Sequence, residues 1–231
     1  MLVKRWEKLP IDMQNDAVKP YYEILRKKVF SLLVKRLFDI IMSIVLLVVL
    51  SPVFLIVSLF IKADSKGPVF YRQERVTQYG KRFKIFKFRT MIVNADKIGS
   101  LVTINNDSRV TKIGKKLRKY RLDEIPQLLN IFTGDMTFVG TRPEVPKYVA
   151  CYTDEMKATL LLPAGVTSKA SIEYKDEEKI LKEAENTDEV YVERILGEKM
   201  RINIESIRSF SFFSDIILLV KTVVSVIKRD S

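Results

Sequence analysis

The sequence predicts an α+β chain, mostly helical and membrane-associated, built around one re-entrant helix-break-helix hairpin with surface amphipathic helices. Three observations predict it. An uncharged run from Ile40 to Ile61 is interrupted by Ser51-Pro52. Apolar residues recur at helical spacing through most of the chain after residue 110. Two short aromatic-rich stretches, Val69–Tyr71 and Phe83–Phe88, flank a turn at Tyr79-Gly80 and read as extended strands.

The uncharged run is long enough, at about 1.5 Å per residue, to cover the roughly 30 Å of a bilayer's hydrocarbon. Pro52 removes a backbone hydrogen bond in its middle, so a kink is expected there. The Ser51 hydroxyl can satisfy a carbonyl that the kink frees. Both flanks are basic: Arg26, Lys27, Lys28, Lys35 and Arg36 precede the run, and Lys62, Lys66, Arg72, Arg75, Lys81 and Arg82 follow it. Lysine and arginine favour the cytoplasmic side, which a spanning helix cannot satisfy on both flanks. A hairpin that enters and leaves by one face can. The expected organisation is a basic amphipathic segment over 1–36, a hairpin over 37–62 and a catalytic domain over 63–231. Residues 18–37 read as a basic helix lying at headgroup level. Phe210–Ile227 reads equally as a second such helix or as a core-packing one. No cleavable signal sequence is expected ahead of the run.

Composition narrows the chemistry. A formal charge of +12 calls for an acidic partner: nucleic acid, phosphates or an anionic membrane face. The chain has no histidine, which excludes histidine bases, serine-histidine triads and histidine-bound zinc. One cysteine, Cys151, excludes an intrachain disulfide and a cysteine metal cluster. Carboxylates, lysine, arginine, hydroxyls and a hard metal such as magnesium are left.

Beyond Gly67-Pro68 the strands come first, with Phe86 and Phe88 on one face and Lys87 and Arg89 on the other. Helical patterns follow at about 111–120, 124–133, 144–160, 176–186 and 188–199, with a loop at Pro163-Ala164-Gly165. Asp123 is placed to cap the second of these helices, Pro126 falls in its first turn and Gly134 at its stop. Asp123 and Glu124 then lie where the helix dipole favours carboxylates, which fits plain capping as well as catalysis. Arg118 and Arg121 flank them. Arg142, in Gly140-Thr141-Arg142-Pro143, is set to hold phosphate oxygens. Carboxylates beside phosphate-binding arginines suit phosphoryl transfer, whether to an acceptor or to water. A non-catalytic module docked on anionic lipid stays open. Nucleic-acid binding explains the charge but not the apolar hairpin.

From about Lys35 to Ile227 the sequence resembles the monotopic phosphoglycosyl transferases, the small bacterial sugar transferases. The resemblance rests on Lys35-Arg36-Leu37-Phe38-Asp39, on Ser51-Pro52, on the run from Phe83 to Met91, on Leu122-Asp123-Glu124-Ile125-Pro126-Gln127, and on the run from Gly134 to Pro143. It implies that Asp123 is the nucleophile toward a UDP-sugar, expelling UMP. A phosphosugar held on the carboxylate then passes to polyprenyl (undecaprenyl) phosphate. It also implies a magnesium ion at Asp123 and Glu124, and phosphate contacts from Lys87, Arg118 and Arg142. The implied setting is the cytoplasmic face of a bacterial inner membrane, among its phospholipids and without nucleic acid, in the family's minimal form. A homodimer and the identity of the sugar stay open. Two departures from the family pattern, at Leu162-Pro163-Ala164-Gly165 and at Asn203 where an aspartate is common, bear on sugar recognition.

Overall fold

The computed structural model describes residues 3–95, 107–174 and 186–228. Helix α1 (Lys19–Lys27) leads into α2 (Val29–Val49) and α3 (Ser51–Asp64). Among the described residues no single helix is long and apolar enough to cross a membrane. The α2–α3 pair is, by length and composition, and it bends by 60°. The bend sits at Leu50, so Pro52 falls in the first turn of α3, where its missing N–H costs little. As expected, the Ser51 hydroxyl donates to a freed carbonyl, that of Val48, at 2.8 Å. The outward faces of both arms are apolar, with Val48, Val49, Leu55, Ile56, Leu59 and Phe60 all exposed.

The approach to the hairpin differs from the expectation. The division at residues 36 and 37 falls inside the continuous helix α2. The helix over 18–37 is broken at Lys28, and the apolar face of α1 is not free for a headgroup layer. Tyr21, Tyr22 and Leu25 are buried against Ala158, Leu161, Ile204 and Ile207. Protein takes the face that a lipid was expected to cover. Lys35 and Arg36, counted as flanking charges, are spent internally. Lys35 is buried and pairs with Asp215 at 2.6 Å. Arg36 donates to the carbonyls of Ile131 and Phe132 at 2.7 and 2.9 Å. Asp39 accepts from the Thr137 hydroxyl at 2.7 Å and from the Phe138 N–H at 3.3 Å. One face of the first arm of the bent pair is therefore tied to the segments around Ile131, Thr137 and Asp215.

Strands β1 (Phe70–Val76) and β2 (Arg82–Phe88) pair antiparallel, with Tyr71 opposite Lys87. Tyr79 and Gly80 make the turn at positive φ, 60° and 72°. Alternation along β2 puts Phe83, Ile85 and Lys87 on one face, and Phe83 and Ile85 bury against Leu128, Ile131 and Met136. Helix α4 (Lys112–Lys119) is capped by the Thr111 hydroxyl, and α5 (Gln127–Thr133) ends at Gly134 with φ 92°, as its sequence demands.

A second pair of strands was not expected. β3 (Met136–Val139) and β4 (Ala164–Thr167) run parallel, with Thr137 opposite Gly165. The departing Pro163-Ala164-Gly165 segment is thus the start of a strand rather than a plain loop. A Cβ at Gly165 would lie 2.2 Å from the backbone N and O of Gly140, so the chains touch there because both residues lack side chains. Gly165→Ala is expected to cost about 3 kcal/mol or more, read by chemical denaturation.

The helix expected over 144–160 is split into α6 (Pro146–Val149) and a 3-10 turn (Met156–Leu161), the latter restarted by the Thr153 hydroxyl accepting from the Met156 N–H. The pattern at 176–186 lies almost wholly outside the described residues. After the short α7 (Lys169–Glu173), the last expected helix is longer than its pattern. It comprises α8 (Thr187–Val190), a π-turn (Tyr191–Leu196) and α9 (Gly197–Arg208), with Asn203 buried within α9. Finally α10 (Phe212–Lys228) packs on the core through one face, as one of its two expected roles requires, and leaves a second apolar face exposed. Leu218 and Leu219 pack on the β3 cluster, while Phe213, Ile217 and Val220 face outward.

Candidate active site

The site forms where β2, the turn before α5 and the loop after β3 meet. Arg121 enters the turn in the left-handed region, φ 55°, and Leu122–Glu124 then make a single 3-10 turn. Asp123 therefore lies inside a helical run and caps nothing; the residue at the start of α5 is Pro126. This corrects the capping expectation and matters chemically, because the carboxylate is left free. Asp123 is buried at 8% exposure, and its Oδ1 has no hydrogen-bond partner among the described residues.

Glu124 has the opposite surroundings. Its Oε1 accepts from Lys87 Nζ at 2.8 Å, and Arg142 binds it through both Nη1 and Nη2. Its carboxyl group is nearly closed off from water, so this is a largely buried ion triad. Burial alone would push the Glu124 carboxyl up, but Arg142 and Lys87 hold it well below the usual carboxylate range. Asp123 is pushed up, first by burial and then by the Glu124 charge beside it. Lys87, Arg118 and Arg121 pull the other way without cancelling the rise. Two adjacent carboxyls are thus driven apart: Glu124 is fixed as an anion, and Asp123 is the one poised to change state.

Arg118 Nε donates to Thr90 at 2.9 Å, which turns this guanidinium toward the same region as Asp123. The structure therefore gathers Asp123, Glu124, Lys87, Arg118 and Arg142 around one centre. Ser51 and Pro52, expected as the hairpin break, sit at the 60° bend between α2 and α3. Two further residues were missed in the sequence. Asn130 spans the β2 backbone: its Oδ1 accepts from the Phe86 N–H at 2.8 Å and its Nδ2 donates to the Lys84 carbonyl at 3.1 Å. That grip sets the register between α5 and β2, and so brings Lys87 to Glu124. Gln127 is buried at 1% exposure, and among the described residues neither of its side-chain polar atoms has a hydrogen-bond partner. Asp123, Gln127 and Asn130 share one helix face by their spacing, a polar stripe that could have flagged both residues.

The donor set bears on a metal. Among the described residues no three acidic, histidine or cysteine side chains converge. Magnesium is commonly held by one or two carboxylates together with substrate phosphates and water. Asp123, with an unengaged buried oxygen, fits that pattern. Glu124 Oε2, which among the described residues accepts only one long contact, from Arg142 at 3.4 Å, keeps lone pairs with which to join it.

Comparison with known proteins decides the lineage. Residues 30–229 match the family described as bacterial sugar transferase. The chain belongs to that family. Among its relatives is a UDP-N-acetylgalactosamine-undecaprenyl-phosphate N-acetylgalactosaminephosphotransferase of Aeromonas hydrophila, 30% identical over 72% of this chain and 37% of that protein. A UDP-glucose:undecaprenyl-phosphate glucose-1-phosphate transferase of Escherichia coli is 34% identical over 72% of this chain and 34% of the relative. An undecaprenyl-phosphate galactose phosphotransferase of Salmonella typhimurium is 30% identical over 71% and 34%. The chain thus spans about a third of the length of these relatives. Their names cover three different sugars, so family membership alone does not name a sugar here.

The raised Asp123 carboxyl gives this bacterial sugar transferase a testable pH signature. In the metal-free protein the Asp123 carboxyl is expected to titrate above the ordinary carboxylate range, because burial and the Glu124 charge oppose its ionisation; carboxyl-carbon NMR reads it. Glu124→Gln removes the neighbouring charge and should move that titration to lower pH.

Proposed function

We propose that the chain transfers a sugar-1-phosphate from a UDP-sugar to undecaprenyl phosphate, giving a polyprenyl-diphosphate-linked sugar and UMP. The observation that carries the reading is the contrast between two adjacent carboxylates. Glu124 is engaged by two cations, whereas Asp123 Oδ1 is buried without a partner among the described residues. In the first step an Asp123 oxygen forms a bond to the sugar-bearing phosphorus, and the bond from that phosphorus to the UMP oxygen breaks. In the second, an oxygen of the lipid phosphate attacks the same phosphorus, and the bond to Asp123 breaks. Two displacements at a neutralised centre replace one direct meeting of two anions.

Lys87 and Arg142 face the donor phosphates, with Glu124 holding both in place before the substrate arrives. Arg118 and Arg121 offset charge beside Asp123 itself. Magnesium bound at Asp123 would supply further neutralisation of the diphosphate and of the departing UMP. The bent α2–α3 pair enters and leaves one leaflet of the inner membrane from the cytoplasmic face, which holds the site at the depth of the acceptor's phosphate. Arg36 and Asp39 support this reading, because they tie the first arm directly to the carbonyl end of α5 and to β3. The named substrates of the relatives supply the donor and acceptor classes, although their alignments cover only part of those proteins.

The test offers the purified chain a panel of UDP-sugars with undecaprenyl phosphate and magnesium, and measures UMP release and the lipid product. Release beyond one equivalent per chain is expected to depend on the lipid and to yield the lipid diphosphate. Hydrolysis at the same rate without lipid would favour a phosphodiesterase instead.

A further inference from the structure

Helix α4 carries a charge pattern that the proposed reaction does not use. Lys112, Lys115, Lys116 and Lys119 stand at i, i+3, i+4 and i+7, one stripe of a helical surface. All four are exposed, and among the described residues none pairs with a carboxylate. Like charges at these spacings repel, so an isolated helix gains nothing from the stripe. On the opposite face Leu117 is buried with Val57, Ile61 and Phe88, and Ile113 packs on the same cluster.

The helix is also fixed in place relative to the hairpin. Asp64, the last residue of α3, accepts from the Ile113 N–H at 3.0 Å. The chain therefore leaves the second hairpin arm and meets α4 at one junction. Lys62 and Lys66, on either side of that junction, are exposed as well. Tyr120, at the end of the stripe, is 48% exposed with Lys119 over its ring, the amphipathic kind of residue that settles at a membrane interface.

We infer that the lysine face of α4 is a docking surface for anionic phospholipid headgroups ringing the point where the hairpin leaves the bilayer. This rests on the reading of α2–α3 as a membrane hairpin. Continuity favours lipid over other polyanions: the stripe begins where the apolar surface of α3 ends, so an occupant of one is adjacent to the other. The lysines lie apart from the Glu124 triad, and their task is to set affinity and orientation at the membrane rather than to handle substrate. Each lysine near an anionic surface is worth about a fivefold change in binding, weakened by salt.

The experiment uses the full chain and the variant K112Q/K115Q/K116Q/K119Q. Co-flotation is measured with phosphatidylglycerol-rich vesicles and with wholly phosphatidylcholine vesicles, at low and high salt. UMP release is measured separately in neutral detergent micelles. The native chain is expected to prefer the anionic vesicles at low salt, and the variant to lose that preference by about tenfold or more. Detergent activity and the thermal midpoint should be unchanged in the variant. Equal binding of the native chain to both vesicles, or a preference that survives in the variant, would overturn the inference. So would tighter retention by single-stranded RNA than by anionic vesicles at matched salt. Loss of UMP release from both proteins in detergent would instead count against the transferase reading, whatever the vesicles show.

Discussion

Asp123→Asn is expected to lower sugar-phosphate transfer by about a thousandfold or more while leaving the fold as stable as before. The two halves of that result follow from the same geometry. An amide has the shape of the carboxylate but cannot form the bond to phosphorus. Its cost to the fold is small because, among the described residues, Oδ1 makes no hydrogen bond that the substitution could break. Removing a carboxyl whose ionisation burial opposes can even raise the thermal midpoint. Activity falling together with stability would mean that Asp123 is a structural residue. Steady-state UMP release and a thermal melt on one preparation separate the cases.

Glu124→Ala should behave in the reverse manner, with a large loss of stability beside its loss of rate. The substitution leaves Lys87 and Arg142 facing each other without their shared anion. Breaking a fully buried ion pair from one side costs several kcal/mol; because Arg142 keeps part of its surface in water, about 2–3 kcal/mol is expected here. For a chain of this size that lowers the midpoint by roughly 5–10 °C. Adding Lys87→Met should recover part of the stability, since the stranded cation is then gone. Additive losses in the double variant would show that the triad is not one unit.

The residues of this centre were legible in the sequence, but their division of labour was not. Asp123 and Glu124 look alike as neighbours in a Leu-Asp-Glu-Ile-Pro string. What separates them arrives from elsewhere: Lys87 lies 37 positions upstream of Glu124 and Arg142 lies 18 downstream. Only the folded chain shows both on one carboxylate. The bend between α2 and α3 could be read from an uncharged run and a proline, since those properties are local. The same charge count misassigned Lys35 and Arg36, because an internal partner such as Asp215 cannot be seen from flanking composition.

Strands β3 and β4 were hidden for a different reason. Every residue of β3 is buried, so it lacks the alternation that marks a half-buried strand. The Asp123 cap was misread because the left-handed Arg121 starts the helical run one turn early. A positive φ at arginine has no sequence signal. Asn130 shows the same limit, since an asparagine inside a helix is ordinary until its amide is found clasping the backbone of β2.

In the proposed reaction one carboxylate, that of Asp123, carries the phosphosugar between donor and lipid. Incubating the chain with UDP-sugar and magnesium, without lipid, and mapping the protein by peptide mass addresses it directly. A burst of UMP matched by a phosphosugar adduct on the peptide holding Asp123 is the predicted result. An adduct on another residue, or no UMP at all until undecaprenyl phosphate is added, would contradict it.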